Sequence, residues 1–441
     1  MTVAPSFKNI EPIDGELRTR ISTAVESLSQ EMFETIRELV RIPSVCGNER
    51  AMSERMQELY HSEGLAVETQ KPEIISLRGH PGFVDTQMSY QGRTNVVARL
   101  RGSGAGRSLI LNGHVDVVEP GDTSKWTHNP WGGDIEGDWM YGRGAGDMKA
   151  GLVANLFALK ALRRLGLEPG GDLMFQAVID EEAGGAGGTL ALLDAGYLAD
   201  GFIATEPTNF TVTVAHSGVC YFRVRVMGKQ AHAGYAQEGV NALTRMGRII
   251  TALSDLDEER GKLRHKLIGA GTLRACHLNV GTCRSGEWPS TVPATAEIDC
   301  RMGFIPGENL AEIRALVACT VAEANAGDAW MEENPAEIEW YGWQTDPWQQ
   351  DPEVPFIQTV RSETGAVIGA PAVLRGATGG NDARFAAYYD MPSCCLGHYN
   401  ENMHGIDERV SLPSVVKTTR ILAGIVANWC GTVDVTKGRA E

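Results

Sequence analysis

The sequence predicts an α/β fold whose mostly parallel sheet is interrupted by an inserted α+β domain. Three observations lead there. Short apolar runs alternate with helical patterns through the first half of the chain, as strand–helix–strand units do. From about Val219 the pattern shifts to alternating strands and amphipathic helices, and past Asp351 the first pattern resumes. A chain of 441 residues is too long for one ordinary core. The expected division is residues 1–216 and 347–441 in one domain, with 217–346 inserted.

Each element follows from its local pattern. After a loose first dozen residues, LRTRISTAVESLSQEMFETIRELVRIP (17–43) carries apolar residues at helical spacing and stops at Pro43, and residues 49–62 predict a second helix. TNVVARL and SLILNGHVDVV read as strands around the glycine-rich turn RGSGAG. MKAGLVANLFALKALRRLGL predicts a long helix ending near Gly166 and Pro169. DLMFQAVID is the next strand, followed by a helix through TLALLDAGYL and the short strand FIATEP. In the insert, YFRVRVMG, HLNVGTC and ATAEIDCRMG alternate as strands, while VNALTRMGRIITALSDL and ENLAEIRALVACTVAEAN are amphipathic. PFIQTVRSETG and LPSVVKTTRILAGIVANWC predict the last two helices.

Composition narrows the function. The chain is 43% hydrophobic and 22% charged, with a formal net charge of −16 and no Lys/Arg run to offset it. That charge repels phosphate backbones and anionic membranes, so nucleic acid and membrane surfaces are not expected partners. The N-terminus has no basic region followed by an apolar core, and no segment has the roughly 18 consecutive apolar residues a membrane span needs. Nine cysteines without metal-type C-x-x-C spacing read as reduced thiols, the adjacent Cys394 and Cys395 included. A cytoplasmic enzyme fits these observations, and a disulfide-built secreted protein does not.

The chemistry begins at SLILNGHVDVVEPGD (108–122), where His114 and Asp116 interrupt an apolar strand. Strand alternation points both side chains the same way, so the carboxylate can accept a proton from one imidazole nitrogen and leave the other for a metal. Four further stretches fall at strand ends or the loops after them, where open α/β sheets place ligands. They are YGRGAGDMKAG with Asp147, VIDEEAGG with Glu181 and Glu182, IATEPTN with Glu206, and NENMHGIDE with His404. Burying these groups together without a cation would be very costly. Three carboxylates from Asp147, Glu182 and Glu206 against two divalent ions leave one positive charge to hold a hydroxide. Oxygen and imidazole donors without thiolates suit zinc, with cobalt or manganese as substitutes. Two such ions lower the pKa of a bridging water and polarise a carbonyl. Of the neighbours Glu181 and Glu182, one can bind metal while the other acts as general base. A dinucleotide site fails as an alternative, because the third glycine of G-x-G-x-x-G would fall on Asp147.

The order GHVDVV, GRGAGDMKAG, DEEAGG, EPT and MHGIDE resembles the M20 metallopeptidase family, the group of acetylornithine deacetylase, succinyl-diaminopimelate desuccinylase, aminoacylase and carboxypeptidase G. The resemblance runs from about residue 30 to the C-terminus, and RELVRIPSV is similar to the family's first helix. It implies a zinc-exopeptidase-like catalytic domain and an inserted lid and dimerisation domain. It also implies two zinc ions per subunit, one on His114 and Glu206, the other on Glu182 and His404, with Asp147 bridging. Glu181 becomes the general base and Asp116 the group that orients His114.

GKQAHAGYAQEGVNAL resembles the family segment whose histidine, here His232, reaches the partner subunit's active site, which implies a homodimer. Arg301 in EIDCRMGF matches an arginine that receives a substrate carboxylate, a task suited to its two-pronged donor geometry. TGGNDARF resembles a substrate-lining segment, with Gly379, Gly380 and Asn381 as candidates; Arg375 and Arg384 are close by. Two departures stand out: WPSTVP carries Ser290 where many members have asparagine, and LGHYNENMHG replaces a GPG-type turn. The second makes His398 a competitor of His404, but only His404 has the following G-x-x-E context. His61, His80, His128, His216, His265 and His277 have no such context and read as surface or structural groups. The expected activity is hydrolysis of a small N-acyl amino acid or related amide. The alternatives are a metallo-dipeptidase or carboxypeptidase, a deformylase of an N-formylated heterocycle, and an inactive ligand-binding relative.

Overall fold

The computed structural model describes residues 13–269 and 274–436, so the expected loose first dozen residues lie outside the described residues. Its centre is a nine-stranded sheet in the order Ala66–Gln70, Asn95–Leu100, Leu173–Val178, Leu109–His114, Phe202–Ala204, Ser393–Cys395, Val212–His216, Trp348–Gln349, with Leu374–Ala377 also paired to Val212–His216. The four middle strands run parallel, and the flanks are closed by antiparallel pairings. Leu109–His114 is buried along its whole length, as a central parallel strand covered on both faces should be.

Register positions the site. His114 lies opposite Val178 on one neighbouring strand, and Asn112 lies opposite Ala204 on the other. Just past Val178 and Ala204 come Glu181, Glu182 and Glu206, so acids from two separate stretches emerge with His114 at one edge of the sheet.

Helices Gly15–Ser27, Ser29–Val40, Ala150–Arg164 and Leu412–Trp429 bury their apolar faces in one large core against the sheet. The expected helix over 17–43 is two helices meeting at Leu28. The hydroxyls of Ser27 and Ser29 donate to the Ala24 and Glu26 carbonyls at 2.7 and 2.8 Å, competing for the acceptors a continuous helix would use.

The inserted segment forms a separate antiparallel sheet in the order Leu278–Ser285, Thr295–Phe304, Gly218–Met227, Glu337–Thr345. Helices Ala242–Arg260 and Leu310–Asn325 share its core, built on Phe222, Val224, Ile249, Ile298 and Val317. Leu310–Asn325 starts at a capping box between Asn309 and Glu312. Among the described residues no helix is long and apolar enough to cross a membrane.

Helix Ala150–Arg164 crosses the chain just before Glu206 at Gly151, where a Cβ would stand 2.3 Å from the Thr205 carbonyl oxygen. Gly151→Ala must push the helix off that strand end, and should destabilise the protein by about 1–3 kcal/mol in urea unfolding.

Candidate metal centre

Asp147 stands at the middle of the cluster. Its Oδ1 is 3.0 Å from His114 Nε2, and its Oδ2 is 3.2 Å from His404 Nε2. Glu206 Oε1 lies 3.9 Å from His114 Nε2 on one side, and Glu182 Oε2 lies 3.1 Å from His404 Nε2 on the other. The second oxygen of Glu182 is buried with no hydrogen-bond partner. Donors on one tetrahedral zinc stand about 3.3 Å apart when each bond is about 2.0–2.1 Å. The spacing, the all-nitrogen-and-oxygen donor set and the orphaned carboxylate oxygen therefore fit divalent cations. Glu181 also lies within reach of His114 and Glu206, its donor atom within 4.8 Å of theirs.

The electrostatics point the same way. Burial pushes the Glu181 and Glu206 carboxyls well above the usual range, and neighbouring carboxylates add to it. The hydrogen bonds to Asp147 and Glu182 raise His404 to about 10. His114 is also raised well above its usual value: burial pulls it down, but Asp147 and the surrounding carboxylates outweigh that. The cluster thus draws positive charge onto its imidazoles, the demand that cations would meet.

His114 is oriented differently from the expectation. Its Nδ1 is 2.9 Å from the backbone carbonyl of Asp116, while the Asp116 carboxylate is 3.6 Å away, beyond hydrogen-bonding distance. The strand ends at His114, so the alternation that would aim both side chains together does not extend to Asp116. A proton on Nδ1 leaves Nε2 facing Asp147. The Asp116 carboxylate instead accepts the backbone N–H groups of Glu181 and Glu182 at 3.3 and 3.1 Å. It shapes the turn that presents both glutamates.

Asp147 and His404 come from the rim of the sheet rather than its strands. Asp147 lies in the turn Ala145–Lys149 that precedes helix Ala150–Arg164. This turn wraps around one carboxylate, that of Glu408, which accepts the N–H groups of Gly144, Gly146 and Asp147 at 3.0, 3.1 and 3.0 Å and Arg143 Nη1 at 2.5 Å. Glu408 is the last residue of GIDE, so the His404 loop and the Asp147 turn are built against each other. Asp407 anchors the loop further by accepting the Thr127 N–H at 2.8 Å. His398 is buried and donates from Nε2 to the Gly146 carbonyl at 2.6 Å, outside the acid cluster, and burial lowers it to about 4.

The glutamate turn has a support that the sequence did not disclose. Asp180 adopts a left-handed φ of +77° and accepts Tyr90 Oη at 2.6 Å, Arg93 at 3.1 Å and the Gly187 N–H at 3.2 Å. Arg93 also pairs with buried Glu49 at 2.5 Å. Tyr90 and Arg93 stand 90 and 87 residues from Asp180, and Glu49 stands 44 from Arg93, so no local pattern ties them to the glutamate turn.

The remaining candidates lie around this cluster. Arg301 Nη2 donates 3.0 Å to the carbonyl of Thr378, joining the lid sheet to TGGNDARF. Gly379 faces open space, whereas Gly380 makes room for Trp343. Asn381 Oδ1 accepts the Ala383 N–H at 3.1 Å, capping the turn Asp382–Tyr389. Arg384, fully buried, donates at 2.7 Å to the Gly184 carbonyl and ties this segment to DEEAGG. His232 is exposed on the lid, in a strand pair with Thr291 of WPSTVP, and its Nδ1 accepts the Gly234 N–H at 3.0 Å. Among the described residues no hydrogen bond or ion pair joins it to the acid cluster.

Removing the buried partner of Arg143 and of three backbone donors should be severe. Glu408→Ala should destabilise the fold by about 3–5 kcal/mol in urea unfolding and lower bound metal per chain by elemental analysis.

Residues 110–428 match peptidase family M20/M25/M40. An N-formyl-4-amino-5-aminomethyl-2-methylpyrimidine deformylase from Bacillus subtilis (strain 168) is 27% identical over 372 residues, covering 79% of this chain and 86% of the relative. A succinyl-diaminopimelate desuccinylase from Rhodopseudomonas palustris (strain BisB5) is 31% identical over 347 residues, covering 76% of this chain and 85% of the relative. The solved structure of a tripeptidase from Staphylococcus aureus shares the fold with a TM-score of 0.71 at 21% identity, over 90% of this chain and 97% of its own.

Proposed function

The chain belongs to peptidase family M20/M25/M40 and is a hydrolase of amide bonds, and on that premise we propose that it is a dinuclear zinc amidohydrolase removing an acyl group from a small N-acyl amino acid or related amide. The observation that carries the reading is Asp147, whose two oxygens face two different histidines, each with its own glutamate alongside. His114 and Glu206 would hold one ion, Glu182 and His404 the other, with Asp147 between them. Zinc suits the donors, with cobalt or manganese as substitutes. When bound, such ions acidify a shared water and polarise the scissile carbonyl.

The chain's own groups do the rest. Glu181, next to a ligand but not needed as one, takes the proton of the attacking water and returns it to the departing nitrogen. Asp116 holds the Glu181 and Glu182 N–H groups, so the base and the ligand keep a fixed relation. Arg301 receives a substrate carboxylate, and Gly379, Gly380 and Asn381 shape the adjoining wall. The deformylase and desuccinylase relatives remove small acyl groups by name, which supports deacylation over peptide cleavage.

The experiment is amine release by zinc-loaded protein from N-acetyl, N-succinyl and N-formyl amino acids, dipeptides, and carboxylate-capped versions of each. Loss of turnover on capping supports Arg301, and preference for dipeptides would move the assignment to a peptidase. Glu181→Gln should bind metal as wild type does while turnover drops by about 10²-fold or more. Near-normal turnover would remove Glu181 as the base.

The lid also supports a homodimer, as the His232 resemblance implies. Tyr235 and Leu243 of the His232 segment and Trp288 of WPSTVP are 60%, 44% and 69% exposed, apolar side chains that a second copy could cover. Nδ1 of His232 accepts the Gly234 N–H, which leaves Nε2 as the atom that would donate to the developing oxyanion in the partner site. Mixing Glu181→Gln with His232→Ala protein should then restore about a quarter of wild-type activity, since half the dimers are mixed and each has one intact site. No recovery after exchange would leave His232 without that role. All nine cysteines are unpaired, which supports a cytoplasmic location.

A further inference from the structure

The cleft beside Glu182 has a wall that the catalytic reading leaves unused. Its volume is about 320 Å³, and it lies between Val84 and Thr86 of the catalytic domain, Glu182, and three lid rings, Tyr221, Tyr341 and Trp343. The rings owe their placement to a break in the lid sheet. Phe222 is in register with Trp340 and Cys220 with Gln344, so Tyr341, Gly342 and Trp343 stand opposite Tyr221 alone. A bulge of this kind re-aims side chains and recurs beside active sites. Gly342 has a φ of +59°, and a Cβ there would lie 3.1 Å from the Tyr221 ring. The Gln344 amide closes the bulge by donating to the carbonyls of Tyr221 and Tyr341 at 2.5 and 2.8 Å, and Arg314 holds Gln344 at 3.0 Å.

Each ring is braced. The Arg223 guanidinium sits 5.0 Å from the Tyr341 ring centre. Tyr221 meets Tyr341 edge-on, with centres 6.3 Å apart at 66°. Trp343 packs against Gly380, where a Cβ would come within 2.7 Å of it, and Arg384 lies 5.6 Å from its ring centre. The indole Nε1 of Trp343 is buried and has no hydrogen-bond partner, a donor left for an acceptor on a ligand. Tyr221 also stands opposite Arg301 on the neighbouring strand, so the aromatic wall and the proposed carboxylate anchor share one face of the lid.

The geometry points to a substrate with a planar aromatic or heteroaromatic group next to the scissile amide, with Tyr221, Tyr341 and Trp343 as specificity-determining residues. The inference rests on the amidohydrolase reading above. Braced rings favour a flat group through stacking and edge contacts that a saturated ring of equal bulk does not make.

Matched pairs differing only in ring saturation test it: N-acetylphenylalanine against N-acetylcyclohexylalanine, N-formylbenzylamine against N-formylcyclohexylmethylamine, and N-benzoylalanine against N-cyclohexanecarbonylalanine. At least one pair should show kcat/KM about tenfold higher for the flat ring, falling to a ratio of about one in both Trp343→Leu and Tyr341→Leu. A ratio below about twofold in every pair, or one that survives both substitutions, overturns the assignment. Calorimetric binding of the same compounds to Glu181→Gln protein reads the cleft without turnover. A flat-ring preference in binding that Trp343→Leu abolishes, with no hydrolysis by the wild type, upholds the cleft and sinks the proposed chemistry. Hydrolysis of the amides with equal binding of both rings does the reverse.

Discussion

Four carboxylates, those of Asp147, Glu181, Glu182 and Glu206, converge on two imidazoles, with His114, Asp147 and Glu181 buried and His404 on the open side. Like charges so close together, with burial already pushing Glu181 and Glu206 upward, cannot all stay ionised on the strength of the protein alone. Counter-charge has to come from protons on histidine or from cations. The surrounding structure is arranged to keep the acids from moving apart: Asp116 grips the glutamate turn, Glu408 grips the aspartate turn, and sheet register fixes His114 between them. The cost of gathering the charges is carried by groups that do not themselves meet substrate.

This division explains what the sequence disclosed. His114, Glu182 and Glu206 were legible because short apolar strands announce parallel pairing, and acids just past such strands must meet at one edge. Asp147 and His404 were legible as motifs, although they sit on loops next to a small side sheet in which Arg409–Ser411 pairs with Trp139–Tyr141. The supports were not. Glu408, Asp180, Arg93 and Glu49 contact partners far along the chain, and a buried glutamate has no local pattern to distinguish it from an exposed one. The strand ends at His114, so the alternation that predicts the Asp116 carboxylate beside the imidazole does not hold past it.

The lid was legible in outline and illegible where it matters for recognition. Its alternating strands and two helices follow the expected periodicities, but Glu337–Thr345 does not, because the bulge at Tyr341–Trp343 breaks the period of two on which strand prediction depends. The same feature relocates the meaning of Gly380: its missing side chain accommodates an indole from the lid. Aromatic and glycine residues separated by about 40 positions are thus two halves of one contact.

The two chain crossings between catalytic domain and lid lie side by side. His216 pairs with Trp348 on the catalytic side, and Val219 pairs with Thr345 on the lid side, so the hydrogen-bonded ladder extends almost to the joint from both directions. A joint of this form is a ribbon rather than a swivel: it flexes about an axis across its width and resists twisting. Any rocking of the lid must therefore sweep Arg301, Tyr221 and the bulge toward or away from Glu182 as one rigid palm, so that the arginine and the rings keep their mutual spacing as they approach or leave the acids.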